Sequence, residues 1–312
     1  MQRRHFLSAS IAAAAAGAVP GQVRGDETED DAGGAGQSKS FQLSYGPHEG
    51  QFKTLGGKSI LDQIAFAASE GFRSWEDNTA TRRTPEEQEA IGQALADNDM
   101  TMGVFVVSPL EDNFKKVTFA NQNDAEWDKI LEAMKNGVEV AKRMGAKWMT
   151  VVPGLIDPKL AFEYQTANCV ELLKRCAEIF EPHDLVMVLE PLNHRTNHPG
   201  VFLTGTPQAY QICRAVDSPS CKILYDIYHQ QITEGNLIPN IDLAYSEIAY
   251  VQAGDNPGRK EPGTGEINFR NVFRHLHSKG FDGVVGMEHG TSEGGEAGER
   301  KLIAAYRDAD AF

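Results

Sequence analysis

Four apolar runs in the second half of the chain each end on an oxygen-bearing side chain. Val186-Met187-Val188-Leu189 runs into Glu190, Ile223-Leu224-Tyr225 into Asp226, Ala249-Tyr250-Val251 into Gln252, and Val284-Val285-Gly286-Met287 into Glu288. The spacings between these polar residues are 36, 26 and 36, each long enough for one β-strand and one crossover helix. Ends of neighbouring parallel strands open onto a common mouth, so the four side chains are expected to converge. Three carboxylates and an amide oxygen form a hard, anionic cage suited to one Mg2+ or Mn2+ ion, and without a cation among them the carboxylates would repel one another. Any one of these residues alone reads as a helix cap or a loop ion pair. Four at the same level on consecutive strands point to a metal site made by Glu190, Asp226, Gln252 and Glu288.

The elements that must hold these residues alternate along the chain. Short β-rich runs at 41–45, 73–76, 101–107, 148–153, 186–190, 222–226, 249–252 and 283–288 are separated by amphipathic stretches near 60–70, 85–98, 125–144, 159–180, 207–215, 238–246 and 269–278, with a last one near 296–308. Eight β-then-α units in roughly 270 residues are what a (β/α)8 TIM barrel requires. A doubly wound sheet would carry G-x-G-x-x-G after its first strand, and Gly46-Pro47-His48-Glu49-Gly50 stands there instead. The expected fold class is therefore α/β, a single TIM barrel over 41–312. Strand one ends near Tyr45 and His48, strand two in Trp75-Glu76-Asp77; His48 and Glu76 are candidate substrate contacts, though polar strand ends satisfy loop amides equally well.

Longer motifs follow the strand ends. Leu189-Glu190-Pro191-Leu192-Asn193, Tyr225-Asp226-Ile227-Tyr228-His229-Gln230, the run Val251–Asn268 and Gly286-Met287-Glu288 resemble the hydroxypyruvate isomerase branch of the xylose-isomerase-like barrels. The most specific element is P-G-R-x-E-P-x-x-G-E-I-N at Pro257–Asn268. The resemblance implies a metal at Glu190, Asp226, Gln252 and Glu288, with Glu190 and Glu288 also acting as an acid/base pair. The chemistry is consistent, because a divalent ion held against an α-hydroxycarbonyl polarises the carbonyl and stabilises the enediolate left by proton removal. Arg259 suits a planar clamp on a substrate carboxylate, and His229 a hydrogen bond to a substrate oxygen. Their plainer readings are a loop salt bridge and a core histidine. His194 and His198 are either extra ligands or loop caps. After Glu288, His289-Gly290-Thr291 stands where these isomerases carry an aromatic residue and a proline, which leaves the substrate open. The leading reading is isomerisation of a small α-hydroxycarbonyl compound, hydroxypyruvate to tartronate semialdehyde. The alternatives are an exported ketose 3-epimerase or 3-keto-sugar lyase, and, from another class, a sugar-binding protein without catalysis.

Charge and composition narrow the partners. A net charge of −14 disfavours a polyanionic ligand, so no nucleic acid is expected. No run approaches the roughly 20 apolar residues of a membrane span. A small-molecule hydroxyketone or keto-sugar is the expected partner, and a homo-oligomer is compatible with the reading. Cys169 and Cys176 lie seven apart on one predicted helix, about 10 Å along its axis and too far to bridge; four buried thiols are expected, with pairing of Cys213 and Cys221 left open. At the N-terminus, Arg3-Arg4 precedes a short Ala-rich run ending at Ala16-Gly17-Ala18, which reads as a twin-arginine export signal over 1–18 and a periplasmic location. A Gly/Asp/Glu/Ser-rich linker over 19–40, predicted to be disordered, follows. Replacing Arg3 and Arg4 together by lysine should leave the precursor in the cytoplasm, and N-terminal sequencing of the exported protein should begin near Val19; continued export of the double variant overturns this reading.

Overall fold

The structure, a computed structural model, describes residues 40–108, 112 and 114–312. The expected signal and nearly all of the linker lie outside the described residues. Among the described residues, nine strands run β1 (Ser44–Gly46), β2 (Ser74–Trp75), β3 (Thr101–Met102), β4 (Phe105–Val106), β5 (Trp148–Val151), β6 (Val186–Leu189), β7 (Cys221–Asp226), β8 (Ile248–Gln252) and β9 (Val284–Gly286). Every pairing is parallel, in the orders β1-β9-β8-β7-β6-β5-β4 and β2-β3. Only Gly103-Val104 separates β3 from β4, so the two short pieces form one stave and the count is the expected eight. A His48–Glu76 bridge ties the end of β1 to the end of β2.

Among the described residues the α-helices are α1 (Ile60–Ser69), α2 (Pro85–Asp97), α3 (Asp124–Met144), α4 (Phe162–Phe180), α5 (Thr206–Val216), α6 (Ile227–Thr233), α7 (Leu237–Ala244), α8 (Phe269–Ser278) and α9 (Gly295–Ala309). Their boundaries follow local chemistry. Thr84 and Glu87 close a reciprocal capping box before α2, with Pro85 at the first helical position. On α3, Asn123 caps the start, Gly145 at φ 67° ends the helix, and Trp127, Ile130, Met134, Val138, Ala141 and Met144 form the buried stripe. Short α6 is absent from the sequence expectation, because its seven residues are too few to show a period. Inside the barrel, Val104, Val188, Leu224, Tyr250 and Val284 make a separate apolar cluster enclosed by the staves.

All four cysteines are buried free thiols, Cys213 and Cys221 included. No helix among the described residues is long and apolar enough to cross a membrane.

Helices α2 and α3 pack closely where Gly92 faces the end of α3; a Cβ there would lie 2.3 Å from the Arg143 carbonyl oxygen. Alanine improves helix propensity by about 1 kcal/mol over glycine, while forcing backbone apart in a packed interface costs about 1–3 kcal/mol. Gly92→Ala is therefore expected to lower unfolding stability by up to about 2 kcal/mol, as read by urea denaturation, without altering ligand binding at the far end of the barrel.

Candidate active site

Each strand end delivers its side chain through a different local device. Asp226 is the last residue of β7 and also the N-cap of α6: Oδ1 accepts from the backbone N–H of Tyr228 (2.7 Å) and His229 (3.2 Å). Its other oxygen, Oδ2, accepts from Arg259 Nη2 at 3.1 Å. One carboxylate therefore caps a helix with one oxygen, the plainer reading of such a residue, and turns the other toward the neighbouring strand ends expected to form the site. The helix it starts carries His229 back over it, with Nε2 3.6 Å from Asp226 Oδ2 and 3.8 Å from Glu190 Oε1. Gln252 closes β8 beside Asp226 in register. Glu190 and Glu288 stand one and two residues past the ends of β6 and β9.

Two carboxylate oxygens and one imidazole nitrogen in this cluster fall near one another. Ligand atoms of Glu190, Asp226 and His229 lie within 4.8 Å and could hold a metal ion. His229 is the weak member of that set. Its Nδ1 accepts from the Asn193 backbone N–H at 3.2 Å, which puts the ring proton of the neutral imidazole on Nε2, the atom facing the carboxylates. Burial holds the His229 pKa down at about 4, so the ring stays neutral and presents a donor. Gln252 is the stronger fourth candidate: Nε2 donates to Glu76 Oε1 at 3.1 Å, while Oε1 is buried without a partner. An orphaned amide oxygen beside three carboxylates fits a hard cation.

Arg259 supplies the cation charge that the cluster itself contains. Its Nη2 reaches Glu288 Oε2 at 2.6 Å and Asp226 Oδ2 at 3.1 Å, and its Nε donates to the Glu288 carbonyl at 3.1 Å. The guanidinium lies over the Tyr228 ring, 4.9 Å from its centroid. Arg259 sits at φ 51°, a left-handed conformation costly for a residue with a side chain. The loop that enforces it is organised by Asp255, which accepts from the backbone N–H of Asn256 (2.9 Å), Gly263 (2.9 Å), Gly265 (2.8 Å) and Ile267 (3.1 Å). Asp255, Asn193 and Tyr228 lie inside the motifs quoted above, yet the sequence reading gives them no role. Nothing in their spacing marks them, because their partners are backbone groups or side chains brought in by folding.

The remaining expectations distribute differently. Glu76 has no exposed surface; its Oε1 accepts from Tyr250 Oη (2.9 Å) and from Gln252, so it reaches the other strand ends rather than an open mouth. His48 is half-buried, its Nδ1 and Nε2 against the carbonyls of Glu49 and His289. His289 turns inward to Tyr306, with Nε2 2.9 Å from the hydroxyl, so this departure from the isomerase pattern does not place an imidazole in the mouth. His198 stacks on Phe114 and stands 5.4 Å from the His229 ring.

The proton affinities of Glu190, Glu288 and Glu76 are displaced upward. Burial, then Glu288 and Asp226, push Glu190 well above the usual carboxylate range. Glu288 rises to about 7 through burial, against the opposing pull of Arg259. Glu76 rises to about 8 through burial and the nearby Glu288. Glu288 keeps 27% of its side chain exposed against 9% for Glu190, so Glu288 is the one a ligand meets first.

The family described as xylose isomerase-like TIM barrel matches residues 64–309. The chain belongs to that family. Hydroxypyruvate isomerase from Escherichia coli (strain K12) is 34% identical over 173 residues, 55% of this chain and 67% of that protein. 2-Oxo-tetronate isomerase from Cupriavidus necator is 28% identical over 240 residues, 77% of this chain and 90% of that protein. A solved D-psicose 3-epimerase from Clostridium cellulolyticum H10, with D-tagatose, shares the fold at TM-score 0.69 and 18% identity, over 86% of this chain and 98% of that one. The chain is thus a hydroxypyruvate isomerase-like member of the xylose isomerase-like barrels.

A carboxyl whose folded pKa exceeds its unfolded value favours folding less as pH climbs from the unfolded to the folded value. For Glu288 that window runs from 4.5 to about 7. The metal-free Glu288→Gln variant should therefore gain in Tm over the parent as pH rises through this window, and Mn2+ binding to the parent near pH 6.5 should release protons, measured by calorimetry in buffers of different ionisation enthalpy. A flat Tm difference with no proton release contradicts the raised affinity.

Proposed function

We propose that this chain is a metal-dependent isomerase of small 2-oxo-3-hydroxy acids, converting hydroxypyruvate to tartronate semialdehyde by moving one carbon-bound proton. The observation that carries the reading is the pair Glu190 and Glu288, both with raised proton affinity, in one mouth with Arg259. Glu190, Asp226, Gln252 and Glu288 would hold one divalent ion, Mg2+ or Mn2+, which when bound polarises the substrate carbonyl. The donor set is consistent with such an ion, because it offers carboxylate oxygens and an unpaired amide oxygen.

The chain's own groups account for the remainder. Arg259 is a planar donor whose Nη2 already bridges Asp226 and Glu288, and its guanidinium would pair with the substrate carboxylate. His229 Nε2–H donates to a substrate oxygen and is kept neutral by burial, so it adds no charge that would hold the carboxylates ionised. One glutamate takes the proton from C3 of hydroxypyruvate, and the electron pair left behind forms the C2–C3 double bond as charge moves to the C2 oxygen. Protonation at carbon C2, with the C3 hydroxyl proton passing to the C2 oxygen, then gives the aldehyde, with no net gain or loss of atoms. A pKa near 7 suits this exchange, since such a group both accepts and returns a proton at neutral pH. A binding protein would need no opposed proton carriers.

With Mn2+ present, hydroxypyruvate should be turned over and, in D2O, deuterium should enter the product at the carbon next to the carbonyl when the abstracted proton exchanges. Glu288→Gln keeps an oxygen donor and removes the base, so turnover should fall on the order of 100-fold or more while Mn2+ is largely retained. Turnover of ketohexoses with none of 2-oxo acids would make the protein an epimerase; a variant as active as the parent would exclude Glu288 as the proton carrier.

A further inference from the structure

Gln252 is useful as an oxygen donor only if its amide is held one way round. An amide offers oxygen and nitrogen on nearly identical limbs, and a free Gln would present either. In this chain the choice is imposed from below. Tyr250 and Gln252 stand two apart on β8 and so project to the same side of the sheet. Both donate to one atom, Glu76 Oε1, at 2.9 and 3.1 Å. Tyr250 Oη itself accepts from the Val104 backbone N–H at 3.3 Å, which leaves its proton for Glu76. The chain of donation thus runs from β3–β4 through Tyr250 to Glu76, and Gln252 Nε2 completes it. Its Oε1 is left buried and unpaired.

Space has been cleared for this arrangement. A Cβ on Gly286 would lie 1.9 Å from Glu76 Oε1, and one on Gly103 would lie 2.4 Å from Tyr250 Oη and 3.3 Å from Glu76 Cγ. The carboxyl of Glu76 therefore crosses the barrel over a position that only glycine can occupy. It buries completely in doing so, at a desolvation cost that a mere loop anchor would not need.

We propose that Glu76 is a positioning residue: its Oε1 fixes the Gln252 amide so that Oε1 of Gln252, and not the NH2 group, is offered to the divalent ion. The inference rests on the metal reading given above and extends it from the donors to what orients them.

Metal-stripped full-length protein titrated with Mn2+ by calorimetry tests this, with metal-free Tm and circular dichroism followed in parallel. Glu76→Gln retains a carbonyl acceptor and should bind Mn2+ within a few-fold of the parent. Glu76→Leu removes the acceptor, and Glu76→Asp draws it back by one methylene; each should weaken binding by about tenfold or more, the usual size of an outer-sphere effect. Should Glu76→Leu fail to fold, Glu76→Asp carries the comparison. In a Gln252→Ala background the Glu76 variants should no longer differ in affinity, because the group they orient is gone. Parent-like Mn2+ affinity in folded Glu76→Leu or Glu76→Asp overturns the inference, as does a loss in Glu76→Gln equal to theirs or a difference that persists without Gln252. A parent that binds no Mn2+ overturns the metal reading itself, and this inference with it.

Discussion

Four carboxylates, Glu76, Glu190, Asp226 and Glu288, meet at one end of a closed barrel where water is scarce, and their mutual repulsion is the condition that the surrounding structure must meet. Like charges in a low dielectric cost several kcal/mol unless they are neutralised or matched. The chain answers in three ways at once. Arg259 is placed between Asp226 and Glu288. Backbone and side-chain donors take up one oxygen of Asp226 and one of Glu76. The remaining burden appears as raised proton affinity at Glu190, Glu288 and Glu76.

That condition explains why so much structure outside the mouth is devoted to Arg259. A guanidinium that must face both Asp226 and Glu288 has to leave the loop in a fixed direction, and a φ of 51° provides it at a cost in backbone energy. Asp255 offsets the cost by gathering four backbone donors of the same loop onto one buried side chain. Glu261 pins the loop from the other side through the Ser292 N–H, at 2.8 Å. Strand, loop and charge are therefore one assembly.

The same arrangement separates two histidines that look alike in sequence. His229 and His289 each follow a site carboxylate, and burial lowers both pKa values to about 4. His229 receives a backbone N–H on Nδ1 and is left with an unsatisfied Nε2 toward the carboxylates. His289 has both nitrogens engaged, with Gly290 and Tyr306. An unpaired donor facing the mouth is chemically available; a fully paired one is part of the core.

The sequence by itself determined the staves and the level of the site. Apolar runs ending in Glu190, Asp226, Gln252 and Glu288 are legible because buried parallel strands must be continuously hydrophobic, and the first polar residue marks where the barrel opens. Eight alternations likewise set the fold class, because a parallel strand requires a crossover after each one. Only the tertiary structure decided which atom of each side chain faces the site. Asp226 divides its two oxygens between a helix cap and Arg259, Glu76 turns inward across Gly286, Gln252 is held by its nitrogen, and Arg259 stands as a cation among acids. Those outcomes depend on partners more than twenty residues away in the chain, or on the backbone of loops, and hydrogen-bond geometry between such groups exists only once the barrel has closed.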